Sequence, residues 1–279
     1  MESIKKKNQD QKSEESESLT DKVLKYETIS FNAHPSLTTI NLDGWVLRFA
    51  PWNTKRANCI NPLYNNNDQK TYEKILKCEK IYFSKGKASI FKINDATDPE
   101  INKILSEMNY LNCEINYVMN LNLSSFNFDL NEYKTKKNIT NSNTIINNKP
   151  DDTWLKSYFL FECKKNEKSQ KNYINMFNLI KNEQFYVKIE FNEKIVACAS
   201  CVLEKGIANI LNVVTDKNFR GRGFGKFVVI ETINEAKRRG GVDAFLYVLK
   251  NNNIAINMYK SIGFKKVYSY WYRDKRLSQ

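Results

Sequence analysis

The chain has 279 residues, of which 41% are hydrophobic and 13% aromatic, enough to form a sizeable core and to exclude wholesale disorder. Its 44 Lys and Arg outnumber 31 Asp and Glu, for a formal net charge of +13. That balance suits an anionic partner such as a phosphorylated cofactor, nucleic acid or a membrane surface, without choosing among them. A single His and one C-x-x-C in a long chain argue against a zinc site and against a disulfide framework.

Residues 1–22, MESIKKKNQDQKSEESESLTDK, are charged and lack an apolar h-region, which predicts a disordered tail and not a targeting sequence. No run approaches the ~18 apolar residues of a membrane span, and a cytoplasmic location is expected. Residues 23–128 read as a first globular region. DGWVLRFA (43–50) is a predicted strand, and 69–86 a helix with Ile75, Cys78 and Tyr82 at helical spacing and Gly86 as its stop. A strand follows at 87–93, then a helix at 98–111 opened by Asp98 and Pro99, then a strand at 113–123. Residues 129–150 are rich in Asn, Thr and Lys with little periodicity, and the domain boundary is placed there, although KNITNSNTII could pair as the first strand of the second region.

In residues 129–279 two helices (150–163 and 169–181) lead into strands at 184–191 and 194–203, joined by a two-residue turn at Asn192 and Glu193. The C-x-x-C of Cys198 and Cys201 falls inside the second of these strands, so buried free thiols are expected. A strand at 208–215, a helix at 223–239, a strand at 243–249, a helix at 252–262 and a strand at 264–272 complete the order. The fold class is mixed α/β, a twisted central sheet with flanking helices.

Three of the chain's nine glycines lie in FRGRGFGK, between a strand and an amphipathic helix with Val229, Ile230, Ile233 and Ala236 on one side and Glu231, Glu235, Arg238 and Arg239 on the other. The start of a helix exposes unpaired N–H groups that attract anions, above all phosphate. Glycine permits positive φ and close approach, and Arg220, Arg222 and Lys226 add charge. A Walker A loop fails, because it would need Gly at Arg220 and Ser or Thr at Phe227. The dinucleotide fingerprint fails as well, because it would need Gly at Lys226 or at Val228.

What remains is R-x-x-G-x-G over Arg220–Gly225. Downstream, LYVLKNNNIAINMYKSIGF carries N-x-x-A-x-x-x-Y-x-x-x-G-F through Asn252, Ala255, Tyr259, Gly263 and Phe264. On these two motifs, residues 137–279 resemble the GNAT superfamily of acyl-CoA-dependent N-acetyltransferases. The resemblance implies acetyl-CoA as acyl donor, an amine as acceptor and no metal. It implies that backbone groups of Val213, Val214 and Thr215 pair with the pantetheine arm at a splay between two parallel strands. The amides of Gly221, Arg222, Gly223, Phe224, Gly225 and Lys226, with Arg220, would hold the phosphates, Asn252 would contact the cofactor, and Tyr259 would protonate the leaving thiolate. On the 252–262 helix, Ile254, Ala255, Met258 and Ile262 are the expected buried arc, with Tyr259 at its edge.

Two features depart from the family pattern. Neither 208–215 nor 244–249 holds a carboxylate that could take the amine's proton. Tyr247 stands in the second strand, and Glu162, Glu190 and Glu204 are unranked candidates. The C-terminus is short, so the usual terminal hairpin is either truncated or completed by the first region. DGWVLRFAPWNTKRANCINPLY resembles the N-terminal half of tandem GNAT-like bacterial proteins, which makes 23–128 a degenerate GNAT-like domain shaping the acceptor side, and one coenzyme A per chain is expected. A non-catalytic acyl-CoA-binding module and a basic nucleic-acid binder are the rival readings, the latter without a recognised motif.

Overall fold

The computed structural model describes residues 17–52, 54–64 and 70–276. Most of the expected tail lies outside them, but Leu19–Ala33 form a helix, α1, capped by Ser18, so ordered structure begins inside the segment expected to be disordered. Then come β1 (Thr38–Leu42), β2 (Trp45–Phe49), β3 (Ile60–Pro62), α2 (Thr71–Phe83), β4 (Ser89–Asn94), α3 (Pro99–Glu107) and β5 (Leu111–Asn122). The stretch expected to lack periodicity holds α4 (Leu130–Lys136) and β6 (Ser142–Asn147), the latter being the strand foreseen as an option. The remainder is α5 (Asp152–Phe161), α6 (Glu167–Leu179), β7 (Glu183–Phe191), β8 (Lys194–Glu204), β9 (Ile207–Thr215), α7 (Phe224–Arg238), β10 (Asp243–Leu249), α8 (Asn253–Ile262) and β11 (Lys265–Lys275).

Local chemistry explains many of these boundaries. Asp98, Asp129, Asp151, Asn166 and Asn252 each accept a backbone N–H at the start of their helices. Asn192 and Glu193 both take positive φ, 49° and 61°, which is the twist a two-residue hairpin between β7 and β8 requires. Cys198 and Cys201 are fully buried free thiols on β8, as are Cys59 and Cys78 elsewhere, whereas Cys113 is half-buried and Cys163 exposed.

All the strands join one sheet in the order β1-β2-β3-β4-β11-β5-β10-β9-β8-β7-β6. The order answers the question left by the short C-terminus. β5, from the first region, lies between β10 and β11, antiparallel to both. β11 in turn pairs with β4 on its other side. The terminal hairpin is therefore completed by strands from the first region, and neither half has a self-contained sheet.

Helices cover both faces. Below one face, α7 packs Val229, Ile230, Ile233 and Ala236, all fully buried, against β7, β8 and β9, together with Met119, Leu121 and Leu123 from the first region. Glu235 was expected among the solvent-facing residues of α7. It is buried instead, because its carboxylate accepts from both Arg238 and Arg239. On the opposite face α5 packs Trp154 and Tyr158 against β8 and β9, joined by Ala33 of α1 and by Trp52 and Ala57 from the β2–β3 connection. A buried ion pair, Lys92 with Glu27, lies on this side, as does Lys188, buried itself and paired with the more exposed Asp151.

Candidate active site

β9 and β10 run parallel, but they pair only where Ile207, Ala208 and Asn209 face Asp243, Ala244 and Phe245. Past that point they share no ladder. β9 continues beside β8 as far as Thr215, and β10 beside β5 as far as Leu249. Each strand therefore turns one edge of backbone N–H and C=O groups into a widening gap. The divergence has a local cause on β9. The register against β8 shifts between Cys198 and Ser200, where β9 carries one extra residue, and Asn212 sits there with φ 54°. Its side chain fastens the bulge: the Asn212 amide donates to Ser200 Oγ at 2.8 Å, and the Tyr158 hydroxyl donates to Asn212 Oδ1 at 3.1 Å. Sequence reasoning missed this device. An Asn in a hydrophobic strand was the available signal, since Asn tolerates left-handed φ.

β9 delivers the chain to the glycine loop. Gly221 and Gly223 have φ of 77° and 98°, and Gly223 is the N-cap of α7 without any side-chain cap. The helices capped by Asp, Asn or Ser have their first N–H groups engaged. The start of α7 leaves its own available, with the helix dipole behind them. Gly225 has ordinary φ and serves close approach, since a Cβ there would stand 3.1 Å from Thr215 Oγ1 and 3.5 Å from Met258 Sδ. The loop is braced by Tyr133 of α4, whose hydroxyl donates to the Gly223 carbonyl at 3.0 Å.

The basic side chains divide. Arg220 donates to the Thr215 carbonyl at 3.2 Å, tying the loop to the end of β9. Lys226 donates to the Ser261 carbonyl and hydroxyl, both at 3.1 Å, which joins α7 to α8. Arg222 is exposed and lies over the rings of Phe191, Phe219 and Phe224. Phe224 is itself fully buried, which leaves only its backbone for a ligand. Asn252 is exposed and caps α8, accepting from the Ala255 N–H at 3.1 Å.

The phase of α8 differs from expectation. Its buried arc is Ile256, Tyr259 and Ile262, while Ile254, expected inside, is 88% exposed. Tyr259 consequently sits within the arc, edge-on to Phe264 at 5.8 Å between ring centroids. Burial holds its phenol well above the ordinary tyrosine value, so it carries its proton at neutral pH. Among the described residues its hydroxyl has no hydrogen-bond partner, which leaves it available to a ligand.

The carboxylates named from sequence do not converge on the gap. Glu190 stands on β7, two strands from β9. Glu204 accepts from Asn32 at 2.8 Å near the paired end of β9, and Glu162 pairs with Lys164 at 2.9 Å. A carboxylate that carries no sequence signal, Glu27 of α1, is fully buried, accepts from the Tyr268 hydroxyl at 3.0 Å and is neutralised by Lys92. Burial, then the charge of Glu27, keep the neighbouring Tyr247 phenol well above its usual value. Among the described residues no group of three or more His, Cys, Asp or Glu is arranged to hold a metal.

A mixed sheet with a parallel pair that opens, followed by an uncapped helix behind a left-handed glycine loop, is the arrangement that the two sequence motifs led us to expect. Residues 152–264 match the model of the acetyltransferase (GNAT) family. The uncharacterized N-acetyltransferase YobR of Bacillus subtilis is 25% identical over 260 residues, spanning 92% of this chain and 100% of that protein. A [ribosomal protein bS18]-alanine N-acetyltransferase of Haemophilus ducreyi is 30% identical over 84 residues, 29% of this chain and 58% of that one. Among solved structures, a GCN5-related N-acetyltransferase from Kribbella flavida aligns with a TM-score of 0.66 at 11% identity, over 90% of this chain and 94% of its own. A tandem GNAT protein from the clavulanic acid biosynthesis pathway aligns with a TM-score of 0.65 at 9% identity, over 91% and 88%. These structural likenesses extend through both halves of the chain. No helix among the described residues is long and apolar enough to cross a membrane.

Proposed function

We propose that the chain transfers the acetyl group of acetyl-CoA to an amine by direct attack, with 129–279 carrying the donor and 23–128 closing the acceptor side. The observation that carries the reading is the opened β9–β10 pair leading directly into the uncapped start of α7. Acetyl-CoA, when bound, supplies an acyl thioester. The free edge at Val213, Val214 and Thr215 pairs with the amide-rich pantetheine arm as an added strand would. The amides of residues 221–226 and the charges of Arg220, Arg222 and Lys226 meet the phosphates. Asn252 borders the same ligand from the start of α8.

In the transfer the amine lone pair forms the new N–C bond and the C–S bond breaks. The sulfur leaves with the electron pair and is protonated by the Tyr259 hydroxyl, while the amine's surplus proton passes to water. Backbone N–H groups at the gap stabilise negative charge on the thioester oxygen. Buried and still protonated at neutral pH, Tyr259 is in the form an acid must have. The bare base position agrees with an acceptor that arrives as the neutral amine. The test is thiol release from acetyl-CoA with a panel of amines. Amine-dependent release that requires the 220–226 loop supports the reading, and a chain that binds acetyl-CoA but acetylates no amine contradicts it.

A further inference from the structure

On the face of the sheet opposite α7, one arginine lies beside the gap without a carboxylate. Arg56, from the β2–β3 connection, stands over the Tyr247 ring at 4.9 Å, on the β10 side. Its charge also reaches the phenol of Tyr158, which is bonded to Asn212 on the β9 side. The guanidinium therefore stands beside the β10 lip of the opening, and the Tyr158 phenol in its surroundings reaches the β9 lip. Among the described residues no Asp or Glu lies within 4.0 Å of it. Its neighbours are the phenols of Tyr270 and Tyr272 and His34 Nε2, 3.4 Å from Nη1. A guanidinium has five N–H donors in a planar fork; His34 and Tyr270 engage part of it, and because Arg56 is half-buried the remaining donors are open to solvent or to a ligand.

The surroundings are as short of acceptors as Arg56 is. His34 is the chain's only histidine, and burial followed by the charges of Arg56, Arg48 and Lys92 keep it neutral. His34 Nδ1 is buried and unpartnered, and so is Trp52 Nε1 from the same connection as Arg56. Asn209, at the point where β9 and β10 part, is fully buried with both its amide atoms unpartnered. Its neighbours Ala208 and Ile210 face α7, so by strand alternation Asn209 faces the Arg56 side. The other cations nearby are engaged. Arg48 donates to the carbonyls of Phe31, His34 and Arg56. Lys92 is paired with Glu27. A fork with open donors beside neutral groups fits a single planar anion, and the buried polar atoms of His34, Trp52 and Asn209 left without partners mark a place where a ligand supplies them.

We propose that Arg56 anchors a carboxylate on the acceptor, so that the amines acetylated by this protein are those carrying a carboxylate: free amino acids or peptides with a free C-terminus. This rests on the acetyltransferase reading and specifies its acceptor. The carboxylate takes no part in bond making. It fixes the amine at the β9–β10 opening, where the N–C bond forms and the thiol leaves.

The experiment compares kcat/KM for amino acids, for short peptides and for the amide of each, together with a phosphate-bearing amine, in the full chain and in Arg56→Gln and Arg56→Lys. A charge-assisted pair to one carboxylate should favour acid over amide by about 10- to 100-fold. In folded Arg56→Gln, with acetyl-CoA titration unchanged, the ratio should collapse towards one. In Arg56→Lys, which keeps the charge and loses the fork, part of it should remain. If Arg56→Gln does not fold, the wild-type ratio and Arg56→Lys decide. Equal use of acid and amide by wild type, an unchanged ratio in either folded variant, or better use of the phosphate-bearing amine would overturn the assignment. Acetyl transfer confined to amines without a carboxylate would overturn it while leaving the acetyltransferase reading standing. Failure to bind acetyl-CoA would remove both.

Discussion

Deleting residues 1–128 should leave a chain that does not fold, although the family match lies entirely in what is kept. The reason is β5. Between β10 and β11 it pairs from Asn122 opposite Asp243 to Asn116 opposite Leu249, and again along β11. Val118, Met119 and Leu123 are fully buried and Leu121 is 9% exposed. Burial of such a side chain is worth ~1.5–3 kcal/mol, so these four account for roughly 6 to 12 kcal/mol as an upper bound. That is comparable with the entire ~5–15 kcal/mol by which a domain is stable. Deletion also uncovers Leu246, Val248 and Phe264 and leaves two unpaired strand edges, an invitation to aggregate. The assay is urea unfolding followed by tryptophan fluorescence and far-UV circular dichroism, on the 129–279 chain and on the full chain. Residues 1–128 added as a separate polypeptide should restore structure at least in part. A 129–279 chain that unfolds cooperatively with the full chain's midpoint would refute the argument that β5 is integral to the second half.

Individual residues carry three further expected outcomes. Tyr259→Phe keeps the ring contact with Phe264 and loses no internal hydrogen bond, so stability should barely change while kcat falls roughly 10- to 10³-fold at similar acetyl-CoA affinity; unchanged kcat would take the hydroxyl out of the chemistry. Gly223→Ala should destabilise more than Gly221→Ala, as read by urea midpoints, because both need left-handed φ but only at Gly223 would a Cβ meet Tyr133 Oη at 2.8 Å and Lys137 Cγ at 3.1 Å. The first of these should cost more than the ~1–2 kcal/mol of the backbone term alone. Burial raises the phenols of Tyr158, Tyr247, Tyr268 and Tyr272 well above the ~10 of an unfolded tyrosine. A raised folded-state value means the folded chain holds protons that the unfolded chain gives up, so their contribution is complete below pH ~10 and is lost as pH rises beyond it. Urea midpoints measured from pH 8 to 11 should fall above ~10, and a flat profile would contradict the burial.

Where a side chain dictates its own backbone, the sequence was readable. The Asn192–Glu193 turn, the Asp98 cap, the α7 stripe and the glycine loop are local chemistry, and each stands where it was expected. The misses are non-local or depend on phase. In α1, the buried face includes Glu27 and Ser30, so polarity hid the helix, and only the partners Lys92 and Tyr268 from distant strands make Glu27 tolerable inside. On α8 the expected arc held for Ile262 and, half-buried against the core, for Ala255 and Met258, but Ile254 is exposed and Ile256 and Tyr259 are buried in its place. The insertion of β5 between β10 and β11 could be posed as a question but not answered, because alternation says which face of a strand is buried and nothing about its neighbours. Arg56 lies in the segment DGWVLRFAPWNTKRANCINPLY, whose resemblance pointed to a domain and gave this residue no role. Its contact with Tyr247 of β10 joins residues far apart in sequence, which no local pattern reveals.

The central claim is that acetyl-CoA lies in the gap between β9 and β10 with its phosphates at the start of α7. Amide hydrogen exchange with and without saturating acetyl-CoA tests this most directly, because the proposed contacts are backbone N–H groups. The account predicts binding of one equivalent, with protection rising at 211–215 and 221–226 and at the start of α8, and little change in β1 to β4. Protection that leaves 211–226 untouched, or that appears instead in the first half of the chain, would contradict it.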